Sequence, residues 1–484
     1  MSREELIKEN LLKDYFVQKG EFAELDTIEL ASKGKLMSCF GNNNGSVYTT
    51  LFLPPAPNQD NAKGNKEREW DDEQKAEFMD INKPIYPANP YFSPAGWQYK
   101  LRSDEVIVLI TNLPPECKYY SFINYIMFTE IKKNKDYTKE KGFFKVGCEE
   151  TGFYHPIFGS IGSSVNLANA KSENRTKFSD KAVIVIGANK TSTERVIKEL
   201  VEIGYPEEMI NLMTIPADVY RMGVEKGSDT FCLIGRISQP ANLDDYKAYM
   251  DNLTAESIVL RITPRNELSD NPYPNEIITP RGNGIHEVAM LKNAEEHLDI
   301  IRKGIIDKYK DEYDYEELTS DIAVPEGLTA YTRDTNAQGD NKDTSYLMTD
   351  NFTLNSDEDF IVVYGVNHTL LEKAKYSNAV LYARPMLNGV CSVYDSLFAG
   401  TADEYLKDCE DSDKYYVYKM ARKQMDENTR IIEFSTGNKK GKYYGVDNQN
   451  PILMAFRAYV DKTGVGPSYY EIIYDRTIVF HKKK

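Results

Sequence analysis

Two periodicities divide this chain, a run or alternation of apolar residues that marks strands and a three-to-four spacing that marks helices. The stretch from Lys181 to Pro264 carries both in order. Val183-Ile184-Val185-Ile186 predicts a buried strand and ends in the turn Gly187-Ala188-Asn189-Lys190. Val196, Ile197, Leu200 and Val201 then fall on one helical face, with Thr191 and Glu194 at capping-box spacing and Gly204-Tyr205-Pro206 as the stop. The order repeats in Phe231-Cys232-Leu233-Ile234, a capping Asn242, the amphipathic positions Leu243, Tyr246 and Met250, and the strand Ile258-Val259-Leu260-Arg261-Ile262. Two such units predict a ferredoxin-like β-α-β/β-α-β module. Beyond it, Leu291, Ala294, Leu298, Ile301 and Ile305 predict one long helix from Val288 to Lys310.

The flanks read mainly as strands. Before the centre these are Val47 to Leu53, Val106 to Ile110 and Tyr119 to Ile126. After it come Phe360 to Val366, Val390 to Tyr394, Tyr415 to Tyr418, Ile431 to Phe434, and Ile472 to Tyr474 leading to Ile478-Val479-Phe480. Ile452 to Val460 fits a helix or a strand. The expected fold class is therefore α+β, with a sandwich- or barrel-like β-rich body made by the N- and C-terminal parts around the central module. The divisions expected are 1–104, an N-terminal helix and an extended polar region; 105–180, the first part of the body; 181–310, the module with its long helix; and 311–484, the second part of the body.

Charge narrows the choice of partners. The 484 residues hold 75 acids against 59 Lys and Arg, a net charge of -16, which repels nucleic acid and anionic membrane alike. The basic run Lys132-Lys133-Asn134-Lys135 is short and reads as a solvated loop. No apolar run reaches membrane-spanning length and no cationic start precedes an apolar core, so a soluble cytoplasmic protein is expected. Six scattered cysteines without a C-x-x-C pair read as free thiols.

Three loops carry candidate chemistry. In Pro280-Arg281-Gly282-Asn283-Gly284-Ile285-His286-Glu287, Gly282 and Gly284 let the backbone close on an anion that Arg281 would clamp. His286 and Glu287 stand ready for proton transfer in the first helical turn. The plain alternative is a glycine-rich turn with Glu287 placed to suit the helix dipole. In the second loop, Tyr364 and Asn367 are candidate binding residues and His368 a candidate general base, because polar side chains leave the end of a buried strand. Its plain alternative is a turn tied by Asn367 and Thr369. The third, with Asp334, Asn336 and Asp340, imitates a calcium loop but has Ser345 where the bidentate acid belongs, which favours a solvated acidic loop. Nothing in the sequence requires an organic cofactor, and no nucleophile or phosphate-loop motif is present.

These readings give two expectations. The first is an enzyme acting by acid/base chemistry on a small polar or anionic metabolite, in a pocket between the body and the module, with His368 or His286 as proton carrier and Glu287 beside them. The second is a non-catalytic structural, self-assembling or glycan-binding protein, in which tyrosine-rich strands and the acidic surface serve homo-oligomer or sugar contacts, although most of the 34 tyrosines are expected as wall and core residues of the β body.

Overall fold

A computed structural model of the chain describes residues 3–32, 38–43, 45–57, 59, 96–137, 145–148, 152–276, 279–407, 409–435 and 445–484. Residues 60–95, within the extended polar region expected at 1–104, lie outside them. The chain divides into two compact units, each assembled from three separate segments. The first is Met1–Leu25, Ser46–Ile278 and Pro325–Asn341; the second is Asp26–Gly45, Thr279–Val324 and Lys342–Lys484.

The first unit is one ten-stranded sheet. Its strands are β1 (Tyr15–Glu24), β2 (Ser46–Phe52), β3 (Val106–Asn112), β4 (Cys117–Glu130), β5 (Val146–Cys148), β6 (Gly152–Asn166), β7 (Lys181–Gly187), β8 (Ile210–Thr214), β9 (Thr230–Pro240) and β10 (Ile258–Pro264). They run in the order β5-β6-β4-β9-β2-β1-β10-β3-β7-β8, and β6 also meets β8, so the sheet is nearly closed and barrel-like. One face packs a core that includes Phe22, Leu109, Phe122, Ile184 and Leu233. The other face of β3 and β7 is covered by α1 (Arg3–Leu11) and α3 (Lys190–Glu202), which bury Ile7, Leu11, Val196 and Leu200. The short helix α2 (Thr27–Ser32) belongs to the second unit.

The strands of the 181–264 stretch form as expected but do not make a separate ferredoxin-like module. β7 and β8 pair in parallel at one end of the sheet, whereas β9 lies between β4 and β2 and β10 between β1 and β3. Both helices in this stretch also form. The cap of α3 is Asn189, whose side chain accepts the Thr191 amide at 2.9 Å, rather than Thr191 itself. Asn242 caps α4 (Leu243–Glu256) as its sequence predicts.

The second unit is two five-stranded sheets with a helix outside them. One sheet holds β11 (Tyr313–Leu318), β14 (Phe360–Val366), β17 (Tyr415–Ala421), β18 (Thr429–Ile431) and β20 (Arg476–Lys482). The other holds β12 (Ser320–Ile322), β13 (Thr344–Thr349), β15 (Tyr376–Ala383), β16 (Asn388–Tyr394) and β19 (Ile452–Tyr459). Ile361, Val363, Tyr416 and Val479 of the first sheet share a core with Leu381, Val393 and Phe456 of the second. The opposite face of the first sheet packs Phe360, Val417 and Phe480 against Leu298, Ile301 and Ile305. The long helix expected there is two pieces, α5 (Glu287–Met290) and α6 (Ala294–Tyr309), separated where Asn293 takes a left-handed conformation at φ 56°. Ile452 to Tyr459 is a strand, and Ile472 to Tyr474 is a loop that leads into β20. A further helix, α7 (Gly327–Arg333), packs on β6 of the first unit.

Candidate functional site

The loop between Arg281 and Glu287 holds an anion, and the anion is the chain's own Glu471. The amides of Gly284 and Asn283 donate to its carboxylate at 2.5 and 3.1 Å, and the buried Lys373 ammonium adds a contact of 2.7 Å. Gly282 and Gly284 both sit at φ +82°, and a Cβ at Gly282 would lie 2.7 Å from the Glu471 carboxyl carbon. The loop needs glycine on both counts. Burial opposes the charge on Glu471, but Lys373 and the two amides outweigh it and hold the carboxyl below its ordinary range. Arg281 takes no part in this clasp; its guanidinium lies 5.5 Å from the Tyr469 ring centroid.

One residue beyond the loop, the chain turns inward. Glu287 is fully buried, its Oε2 accepting the Ile473 amide at 2.6 Å and its Oε1 lying 2.7 Å from His368 Nδ1. His368 Nε2 is 3.4 Å from Asp475 Oδ2, and the other Asp475 oxygen accepts the Tyr416 hydroxyl at 2.6 Å. The Tyr416 ring is itself fixed by stacking on Phe398, centroids 3.9 Å apart. A Cβ at Gly365 would come within 2.7 Å of Asp475 Oδ1, so the bare backbone of β14 makes room for the carboxylate. Burial pulls the His368 pKa down, but the facing Glu287 and Asp475 charges more than reverse this and lift it well above the usual histidine value. His368 is therefore an imidazolium with both ring nitrogens directed at carboxylates.

This buried chain ends at the wall of an open hollow of ≈ 530 Å³. His286, Tyr364, Asp475, Arg476 and Thr477 line it, with Tyr470 at 81% exposure among them. His286 is exposed and its ring makes no hydrogen bond within the described residues. The structure thus brings Glu287, from the 181–310 segment, to His368, from the 311–484 segment, and His286 and Tyr364 to one hollow, all within the second unit. Asn367 stands apart from the wall and ties the turn, its side-chain oxygen accepting the Thr369 amide at 3.1 Å and hydroxyl at 2.7 Å.

The three residues of the calcium-like loop go to separate partners in the first unit. Asp334 bonds His155 Nε2 at 2.8 Å and the Tyr137 hydroxyl at 2.5 Å; burial would raise its pKa, but these bonds outweigh it and hold the carboxyl well below its usual range. Asn336 accepts the Gln338 amide, and Asp340 accepts the Ser160 amide and hydroxyl and the Gly327 amide at 2.6–2.9 Å. Among the described residues no group of three His, Cys, Asp or Glu is placed to hold a metal ion.

Sequence reasoning missed Glu471, Asp475, Lys373 and Tyr416. The first two were legible only as acids four apart, one inside and one just after the run Tyr469 to Tyr474, which a strand reading concealed; Lys373 and Tyr416 carry no local signal.

No family model matches the sequence and no curated protein matches it. Among solved structures the chain is similar to the VPA0106 protein of Vibrio parahaemolyticus, at 13% identity and a TM-score of 0.34, over 80% of this chain and 87% of that one. It is also similar to an uncharacterised protein of Burkholderia cenocepacia, at 9% identity and a TM-score of 0.38, over 98% and 86% of the two chains.

Proposed function

We propose that the second unit binds a small polar ligand in the hollow beside Asp475 and acts on it by acid/base chemistry, with His286 as the proton carrier. The observation that carries this reading is the adjacency of residues 286 and 287. The first lines the hollow, and the second opens the buried Glu287–His368–Asp475 chain that returns to the same wall. Burying three ionisable groups costs several kcal/mol unless they are paired, and such clusters beside a cavity concentrate at working sites. His368 itself positions Asp475 rather than shuttling protons, because both of its nitrogens are engaged. Arg281 is not proposed as an anion clamp, since the loop it belongs to already encloses Glu471.

A thermal-shift screen of polar metabolites, followed by turnover assays on the compounds that bind, tests the proposal. The expected result is a compound that stabilises both the wild type and His286→Ala, with turnover lost in the variant. If no compound raises the melting temperature, the site reading fails. The second reading, a binding protein without catalysis, is favoured by Asp475 being already occupied by Tyr416 and His368. A compound that binds and is never turned over would decide for it, whereas turnover unchanged in His286→Ala would overturn His286 as the proton carrier.

A further inference from the structure

We infer that the hollow's ligand is a neutral, hydroxyl-rich ring of the sugar type, seated against Tyr470; this rests on the reading of the hollow as a ligand site. The charge arrangement of the wall selects the class. Four carboxylates line the hollow, and each faces a cation. Glu295 holds Arg476 at 2.5 Å, Glu317 holds Arg302 at 2.5 Å, Glu471 holds Lys373 at 2.7 Å, and Asp475 shares with Glu287 the His368 ring, 3.4 Å away. A cationic ligand finds no carboxylate there without a cation beside it, and an anionic ligand would have to displace one.

What the paired groups still offer is hydrogen-bonding capacity. An ionised carboxylate has about four lone-pair sites and a guanidinium five N–H donors, more than one ion pair uses. Ligand hydroxyls both donate and accept, so one ring of them can meet acids and guanidinium together.

Tyr470 supplies the complementary surface. Its ring is exposed at the rim, with the half-exposed Val288 also on the wall. The partly positive C–H groups on one face of a sugar ring meet the negative face of an aromatic ring. Polar walls with an aromatic rim therefore match a molecule with hydroxyl edges and a C–H face.

Saturation-transfer NMR on the full chain, with a panel of neutral methyl hexopyranosides and pentopyranosides, tests the inference, and methylammonium, citrate and inorganic phosphate serve as charged probes. The expected result is transfer to ring C–H protons of at least one glycoside, affinity reduced about tenfold or more in Tyr470→Ala and retained in Tyr470→Phe. Circular dichroism checks that each variant is folded, and Tyr470→Phe keeps the test valid should the alanine variant fail to fold. A charged probe that binds and is weakened by Tyr470→Ala, with no glycoside binding, overturns the sugar class and leaves the ligand site standing. If nothing in either set binds, both fall. Glycoside binding that is unchanged in Tyr470→Ala also overturns the inference.

Discussion

His368 sits in its core as a cation, and that sets how the second unit responds to pH. A histidine whose folded pKa is raised contributes stability that is complete below its unfolded value near 6.5 and is lost as pH rises through the folded value. Denaturant titrations should therefore show the second unit weakening on the alkaline side, and His368→Gln should abolish that dependence. Removing the imidazole altogether, as in His368→Ala, leaves Glu287 and Asp475 buried without their shared counter-charge, at a cost of about 3–5 kcal/mol. The first unit holds two groups with the opposite problem, a charge that burial resists. Burial lowers the Lys100 pKa to about 8, although Glu225 and other acids raise it, and its ammonium donates to the Tyr154 hydroxyl and the Glu225 carbonyl. The unfolded chain binds this proton more tightly between pH 8 and 10.5, so stability rises across that window by up to about 1.4 kcal/mol per pH unit. Lys100→Met should flatten the rise. Burial lifts Asp340 to about 6 despite the bonds it accepts. Here the folded state holds the proton, stability falls as pH climbs from about 4 to 6, and Asp340→Asn should remove the fall in a pH series of unfolding curves.

Helices were more legible than strands because capping and spacing are local, whereas a strand's place depends on distant partners. Asn242 and the faces of α3 and α4 could be read directly, and the α3 cap was missed only because Asn189 competes with Thr191 two positions on. Asn189→Ala should cost about 1 kcal/mol, against little for Thr191→Ala. The break between α5 and α6 was hidden by an apolar period that continues through it. Its signal is Asn293, a residue that tolerates the left-handed region; Asn293→Ala should lose about 1–2 kcal/mol and Asn293→Gly almost none, both by thermal unfolding. The break also lets Glu287 turn into the core while α6 runs across the sheet face, so the candidate site exists because the expected single helix does not form. The site loops were legible as chemistry, through Gly282, Gly284, His286 and His368. Their targets Glu471 and Asp475 were not, because what fills an anion-holding loop cannot be deduced from the loop.

Strand content and the two cores follow from the hydrophobic pattern, but the assignment of segments to units does not. Each unit takes three pieces of chain, and no composition shift marks residues 25, 45, 278, 324 or 341. β1 lies in the interior of the ten-stranded order, flanked by β2 and β10. Deleting residues 1–25 should therefore abolish cooperative unfolding of the first unit rather than trim an edge. The pairing of Tyr15 with Pro264 has a further outcome during biosynthesis. At about 5–20 residues per second, a ribosome needs roughly 10–50 s to deliver the roughly 250 residues between those two partners. For most of that interval the edge of β1 that β10 will cover stays bare, whereas β2, made soon after β1, can cover the other, so the waiting edge is a natural client for a chaperone that shields unpaired strands.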